Sequence, residues 1–366
     1  MRVLNILDED RFGGPQKRVQ MISLELKRFG IFNKVLFPAT CDSVFEENLK
    51  ERQIEFLRIK FSKLENSILG WAKYLFTFIP DIARVRGVIL GDRIDLAHIN
   101  NVRNIKPLIA CLLTQCRFCW HITDAKTDFL SLCIFRFFSR FTTNIMYSSD
   151  AARRYYSRFI AMNPKKVIDI VPSCITLDTN QKKTKPSDVL TILMVGNISP
   201  VKGYDRLVKL VQSLKERNIQ CKFVIIGSRL KTQEEYIEKF ERAIAQGGLE
   251  SYFEFKGFQD PADFFGTSDY FLCLSRSESS PLAVWEAANN ELPIISTDVG
   301  DVKHILQDAV KIISGESPQE FENALADLQQ DHVKRHAVIR AKYYVQQLSV
   351  AEIAMKTKTI YERVLK

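Results

Sequence analysis

No run of 18 uncharged apolar residues occurs in the 366-residue chain, so it offers no obvious transmembrane helix. Histidine is scarce, with five residues, and no His-rich or Asp-rich cluster suggests a metal. The eight cysteines are scattered, as free thiols of a reducing cytoplasm are, and form no disulfide framework. Cys116-Arg117-Phe118-Cys119 has the Cys-x2-Cys spacing, with Cys111 and His121 nearby. No second pair matches it, and the segment reads as a helix end plus a buried strand, so it argues against zinc. Both the Walker pattern and Gly-x-Gly-x-x-Gly are missing, which excludes a P-loop and weakens an NAD or FAD reading. No helix-turn-helix, zinc-finger or aromatic-glycine sheet motif speaks for nucleic acid. Repeats of fixed period are absent too. At the N-terminus, Val3–Leu7 runs straight into Asp8, Glu9 and Asp10, which reads as a strand and an acidic loop, not a signal peptide.

What is present is a large core supply: 46% of residues are apolar and 11% aromatic, enough for two domains of about 100–200 residues each. Charge is unevenly placed. Residues 1–190 hold 30 Lys+Arg against 19 Asp+Glu, and residues 191–366 hold 22 against 24. A basic first half invites an anionic partner. Short apolar strands alternate with helical patterns, implying an α/β fold with parallel sheets covered by helices. The strands are expected at Val3–Leu7, Lys34–Phe37, Ile94–Ile99, Arg117–Ile122, Asn144–Tyr147 and Lys166–Val171, with 46–90 irregular apart from a helix near 67–78. The polar stretch 179–188 contains Pro186 and reads as a linker. The pattern then restarts, with strands at Thr191–Val195, Lys222–Ile226, Tyr252–Phe255, Tyr270–Leu274 and Pro293–Ser296, and ends in helix from about 337 to 365. Ligands of such sheets sit beyond the carboxyl ends of the strands, so residues just after strands are the ones to inspect.

Four constellations lie there. Val195-Gly196-Asn197-Ile198-Ser199-Pro200-Val201-Lys202-Gly203 joins a strand to a helix. Lys202 sits at a helix N-terminus already receptive to anions, so it is either a phosphate ligand or a plain loop lysine. Ser275-Arg276-Ser277-Glu278-Ser279-Ser280-Pro281-Leu282 leads into a helix carrying Glu286. Each carboxylate can accept two hydrogen bonds from vicinal hydroxyls, as a sugar or ribose presents, or can be a surface charge. Gly13-Gly14 after the first strand leaves amides open to a phosphate, or is a simple turn. His121, at the end of Arg117–Ile122, alternates away from Phe118 and Trp120; it meets a substrate hydroxyl or is a structural histidine, and His98 is equally ambiguous. Separately, 71–79 and 129–140 are aromatic-rich with interspersed Lys and Arg, which suits either a membrane interface or core helices with charged ends.

Together these residues resemble the retaining glycosyltransferases of family 4, which have the GT-B fold. Gly196 to Gly203 is similar to that family's Gly-Arg-x-x-x-x-Lys-Gly loop, Glu278 to Glu286 to its Glu-x7-Glu signature, and Pro281 to its signature proline. Pro293-Ile294-Ile295-Ser296-Thr297-Asp298-Val299-Gly300 resembles its Pro-Val-Ile-Ala-Thr-x-x-Gly segment, and Gly13-Gly14 its acceptor-domain glycine loop. The resemblance implies two Rossmann-like domains facing across a cleft: an acceptor domain over 1–178, a linker over 179–190 and a nucleotide-sugar domain over 191–345. A helix over 346–366 would cross back onto the first domain. It implies transfer of a sugar from a UDP- or GDP-linked donor to a glycan or lipid-linked acceptor, with no cofactor and no metal. Cell-surface polysaccharide or lipopolysaccharide synthesis is the expected setting, in the cytoplasm or peripheral on the inner face of the plasma membrane.

By the same resemblance Lys202 holds the diphosphate, Glu278 the sugar hydroxyls and Glu286 the ribose. His121 approaches the sugar or acceptor. Gly14, Gly196, Asn197, Arg229, Ser279, Ser280, Pro281 and Leu282 line the donor. Two departures stand out. Asn197 replaces the family's arginine, leaving Arg206 and Arg229 to supply a charge. Pro172-Ser173-Cys174-Ile175 also lacks the glycine of the family's Asn-Gly-Ile/Val-Asp. The alternatives are an inactive nucleotide- or glycan-binding scaffold, which Asn197 supports, and a nucleotide-sugar epimerase of similar two-lobed fold. Oligomeric state is not encoded in any of these features.

Overall fold

The computed structural model describes residues 1–9, 12–41, 43–63, 68–160, 166–177 and 189–366, without the side chains of Ile68 and Trp71. The expected linker at 179–190 falls outside the described residues except for its last two positions. Contacts divide the chain into unit 1, residues 1–174 with 348–366, and unit 2, residues 175–347.

In unit 1 the elements run β1 (Arg2–Ile6), α1 (Gly14–Arg28), β2 (Phe32–Pro38), α2 (Ser43–Glu51), β3 (Phe56–Ile59), α3 (Ile68–Phe76), α4 (Phe78–Gly91), β4 (Leu96–Asn100), α5 (Ile105–Thr114), β5 (Arg117–Ile122), α6 (Phe129–Phe138), β6 (Asn144–Tyr147), α7 (Asp150–Tyr156) and β7 (Val167–Ile170). The strands form one parallel sheet in the order β3-β2-β1-β4-β5-β6-β7. Its central strands are buried on both faces and are mostly apolar, with Asn5, His98, Asn100 and His121 as buried polar side chains among them.

Unit 2 follows with β8 (Leu190–Val195), α8 (Tyr204–Glu216), β9 (Cys221–Ile226), α9 (Glu234–Gly247), β10 (Phe253–Gly257), α10 (Ala262–Phe265), β11 (Tyr270–Cys273), α11 (Leu282–Asn289), β12 (Ile294–Thr297), α12 (Val302–Leu306), β13 (Val310–Ile313), α13 (Pro318–Gln329) and α14 (Asp331–Val345). Its parallel sheet has the order β10-β9-β8-β11-β12-β13. The chain then returns to unit 1 as α15 (Val350–Leu365), capped by Ser349, whose hydroxyl accepts from Glu352 N at 3.3 Å. Ile353, Ala354, Ile360 and Tyr361 of α15 pack with Ile22 and Leu26 of α1.

The region expected to be irregular, 46–90, instead holds α2, β3, α3 and α4. One expected helix near 67–78 is two, because the chain breaks at Thr77, whose hydroxyl bonds back to Lys73 O at 2.9 Å. Beneath that break lies a buried ion pair. Lys106 Nζ donates to Asp81 Oδ2 (2.6 Å), Ser62 Oγ (2.6 Å) and Ser62 O (3.0 Å), and stands 3.9 Å from the centre of the Tyr74 ring. Arg84 bonds the second Asp81 oxygen at 2.6 Å. This brace ties α3, α4 and α5 to one another.

Candidate functional site

Both sheets reverse strand order once, between β1 and β4 in unit 1 and between β8 and β11 in unit 2. The loops after these strands are where an open α/β sheet binds its ligand. The sequence motifs fall on them: Gly196–Lys202 after β8, Ser275–Ser280 after β11, and Gly13-Gly14 after β1.

In unit 2 the two loops are bonded together. Lys202 Nζ forms an ion pair with Glu278 Oε1, and Ser275 Oγ donates to the same oxygen at 3.0 Å. Burial alone would lower the Lys202 pKa, but the Glu278 carboxylate outweighs it and holds the ammonium above its ordinary range. Gly196, at φ 149°, lets the lysine stem lie against the backbone: a Cβ there would sit 2.8 Å from Lys202 Cε. Gly203 adopts φ 75°, and a Cβ would meet Leu274 O at 2.2 Å, so the start of α8 touches the end of β11. Arg276 closes the clamp, donating to Asp205 through both amino nitrogens (2.8 and 2.6 Å) and to Pro200 O at 2.8 Å. Those bonds draw the Asp205 pKa down to about 2. The motifs gave no role to Asp205, nor to Ser275, which opens the second constellation; the signal that could have found Asp205 is an acid in the first turn of a helix.

The other residues expected at the donor fall as follows. Asn197 Oδ1 accepts from Ser228 N at 3.0 Å, tying its loop to the one after β9. Ser279 is buried, Ser280 Oγ accepts from Trp285 Nε1 at 3.1 Å, Pro281 precedes α11 and Leu282 opens it. Glu286 is half-buried on α11. Arg229 turns to Glu241 on α9, and Arg206 bonds Glu316 and Leu274 O (2.8 and 3.1 Å). Neither guanidinium stands unpaired in place of the arginine that Asn197 lacks.

In unit 1, Gly14 opens α1, and a Cβ there would meet nothing within 4 Å. His121 is fully buried, with both ring nitrogens occupied: Nδ1 lies 3.1 Å from His98 Nε2 and Nε2 lies 3.0 Å from Ser148 Oγ. His98 Nδ1 continues the chain to Tyr361 OH at 2.6 Å. Burial, then the charge of Arg18, pushes both histidines well below the ordinary pKa, so both are neutral. His121 therefore takes part in an interior relay under α1 and α15, and its ring is covered in this structure. The reason is strand alternation, which turns it away from the Trp120 face and onto the face those helices cover.

What unit 1 does open beyond its strands is a polar cavity of about 500 Å³ lined by Asn101, Arg103, Asp124, Lys126, Thr127 and Asp128. Burial lifts Asp124 to about 6, against the pull of Arg103. Asp8, beside Asn101 (3.4 Å), is pushed by burial, Glu9 and Asp124 up to about 8. Asp8 and Asn101 carried no spacing signal. Among the described residues no group of three or more His, Cys, Asp or Glu is arranged to hold a metal ion.

Comparison with known proteins places this geometry. Residues 177–344 match the family model described as glycosyl transferases group 1. Over 222 residues the chain is 25% identical to an Arabidopsis thaliana component of phosphatidylinositol N-acetylglucosaminyltransferase, covering 56% of this chain and 46% of that protein. It is 28% identical over 171 residues to the capsular polysaccharide biosynthesis glycosyltransferase CapH of Staphylococcus aureus, covering 46% of each. The chain thus spans about half the length of these curated relatives. Among solved structures, Anabaena HepE in complex with UDP and glucose superposes with a TM-score of 0.82 at 16% identity, over 99% of this chain and 100% of that one. Two parallel α/β units, a full-length structural match and the family model over unit 2 give one conclusion: the chain has the GT-B fold, and its residues 177–344 match the model of the glycosyl transferases group 1 family.

Proposed function

We propose that the protein is a retaining glycosyltransferase that moves a sugar from a UDP- or GDP-linked donor to a glycan or lipid-linked acceptor. The observation that carries this reading is the joining of Lys202 and Glu278 across the two loops at the strand reversal of unit 2. A nucleotide diphosphate gains charge on its leaving oxygen as the glycosidic bond breaks, and groups fixed where that charge appears lower the barrier. Lys202 and the amides at the start of α8 meet the phosphates. Glu278 receives sugar hydroxyls and Glu286 the ribose. The acceptor oxygen bonds the anomeric carbon on the face from which the diphosphate departs, which gives retention, and the leaving phosphate takes the hydroxyl proton. Unit 1 supplies the acceptor side, with the polar cavity beside Asn101 and Asp124 matched to a hydroxyl-rich group. The UDP and glucose bound by HepE support the donor class; the names of the Arabidopsis and Staphylococcus relatives support lipid-linked and polysaccharide acceptors. Work in the cytoplasm, peripheral on the inner face of the plasma membrane, fits such acceptors.

A second reading, a nucleotide- or glycan-binding scaffold, draws on Asn197, Arg206 and Arg229, which together leave the missing arginine unreplaced. Calorimetry of the purified protein against a panel of UDP- and GDP-sugars, followed by product analysis with lipid and glycan acceptors, separates the two. Donor binding with neither transfer nor slow donor hydrolysis favours the scaffold.

A further inference from the structure

Two segments that the sequence presents far apart meet in unit 1. Tyr74 and Phe78, on either side of the α3–α4 break, pack with Ile105 and with Leu130, Ile134 and Phe138 of α6. Around this shared core the large apolar side chains turn outward. The four most exposed among the described residues all lie here: Phe76 (87%), Leu69 (83%), Phe129 (80%) and Ile79 (76%).

Helical spacing orders these exposed groups. Leu69, Lys73 and Phe76 stand at i, i+4 and i+7 on α3, while the buried Tyr74 lies to the other side. On α6, Phe129, Cys133 and Arg136 repeat the spacing, opposite the buried Phe135, and Arg140 follows four residues on. Residues 68–80 and 129–141 contain no Asp or Glu at all. Lys73, Arg136 and Arg140 are exposed and have no ion-pair partner among the described residues. Exposed apolar groups with unneutralised cations beside them fit a surface that is apolar within and negative outside. A second protein chain would be expected to answer three unpaired cations with acids, and a neutral apolar partner would leave them unmatched. The buried Lys106–Asp81 pair holds the α3–α4 junction from below, so the projecting side chains rest on a fixed base.

We propose that the α3–α6 face of unit 1 docks on the surface of a bilayer rich in anionic lipid, Leu69, Phe76, Ile79 and Phe129 entering the headgroup boundary and Lys73, Arg136 and Arg140 meeting lipid phosphates. The docking names the partner that a lipid-linked acceptor implies, and it needs no transfer chemistry, so it is read without donor or acceptor.

The test is sedimentation of the full chain with vesicles of phosphatidylcholine alone and of phosphatidylcholine with 30% phosphatidylglycerol (roughly, within the range where surface charge acts), over a series of salt concentrations. The expected result is binding to the anionic vesicles that weakens as salt rises. Lys73→Gln/Arg136→Gln/Arg140→Gln lowers partition on the order of 100-fold, at roughly fivefold per cation. Phe76→Asp/Phe129→Asp lowers it at least about tenfold, while melting and donor affinity stay at parent values. A fluorophore sensitive to polarity on the exposed Cys133 shifts to the blue with anionic vesicles only. Failure to bind, equal binding to both vesicles, or parent-like binding by both variants overturns the proposal. So does a concentration-dependent dimer in the absence of vesicles that Phe76→Asp abolishes, which assigns the face to a second copy of the chain. If vesicles bind as expected and no sugar transfer is found, the docking stands and the transferase reading fails; the reverse pattern spares the transferase.

Discussion

Removing the Lys202 ammonium perturbs the proposed donor chemistry at its centre. In the structure that ammonium is matched to Glu278, whose carboxylate otherwise has the Ser275 hydroxyl. Lys202→Ala therefore acts twice on a bound diphosphate: it withdraws a cation and leaves Glu278 as an uncompensated anion in the same loops. Two unit charges about 4 Å apart interact by about 4 kcal/mol at an effective dielectric near 20. Lys202 keeps 30% of its side chain exposed, so solvent reduces that figure. A group aimed at charge developing in the transition state contributes about 3–4 kcal/mol, which is on the order of 100- to 1,000-fold in rate. The ground-state diphosphate already carries charge, so affinity falls less than turnover. The expected outcome is a transfer rate at saturating donor at least about 100-fold below the parent, with a donor Kd raised less than about tenfold. Losing a part-exposed ion pair costs only about 1 kcal/mol, so melting shifts by a few degrees at most. Lys202→Arg recovers only part of the rate, because a planar guanidinium does not replace a compact ammonium. Saturated transfer rate, donor calorimetry and melting on the same preparations decide it. A folded Lys202→Ala protein within about threefold of the parent rate refutes the reasoning.

Glu286→Ala should weaken donor binding at least as much as it slows transfer, since ribose hydroxyls are alike in both states; an unchanged donor Kd would make Glu286 structural. Gly203→Ala puts a Cβ 2.2 Å from Leu274 O at φ 75°, so the expected cost is about 1–3 kcal/mol in denaturant melts; an unchanged midpoint would deny the close approach. Lys106→Met leaves Asp81 buried with Arg84 as its remaining cation and should cost about 3–5 kcal/mol, part of which Lys106→Met/Asp81→Asn restores; no recovery in the double variant contradicts a charge origin. For Asp8, raised from 3.8 to about 8, the folded protein keeps a proton that the unfolded chain releases, so its contribution to stability falls as pH rises from about 4 to about 8. Asp8→Asn should flatten that slope in melts between those limits, and an unaltered pH profile would refute the shift.

The parallel sheets were legible because their strands are buried on both faces and bounded by turn residues; Arg117–Ile122 and Asn144–Tyr147 appear with the bounds expected of them. Strand β3 was not, since Phe56, Leu57 and Ile59 are only half-buried and Arg58 interrupts them. Helix α13 was overlooked although Phe321, Ala324, Leu325 and Leu328 keep helical spacing behind Pro318; its four-residue neighbour β13 gave no period to frame it. The loops after β8 and β11 were legible through glycine, proline and charge. Their cross-links were not: the Arg276–Asp205 clamp joins residues 71 apart, and the His121–His98–Tyr361 relay spans the chain. Such pairings are set by which strands become neighbours, a property no local window contains.

Helix α15 also fixes an order of assembly. Residues 348–366 complete the α1 side of unit 1, supplying Tyr361 to His98 and Val364 O to Arg117 (2.9 Å). A ribosome adding about 5–20 residues per second needs roughly 10–35 s to make the intervening residues 175–347. Throughout that interval β1, β4 and β5 exist without their covering helix, and the His98–His121 pair lacks its phenol. Unit 2 is contiguous and can close on itself as it emerges. The first half to be translated is thus the last to be finished, and nascent unit 1 is the stage at which a chaperone would find exposed apolar surface.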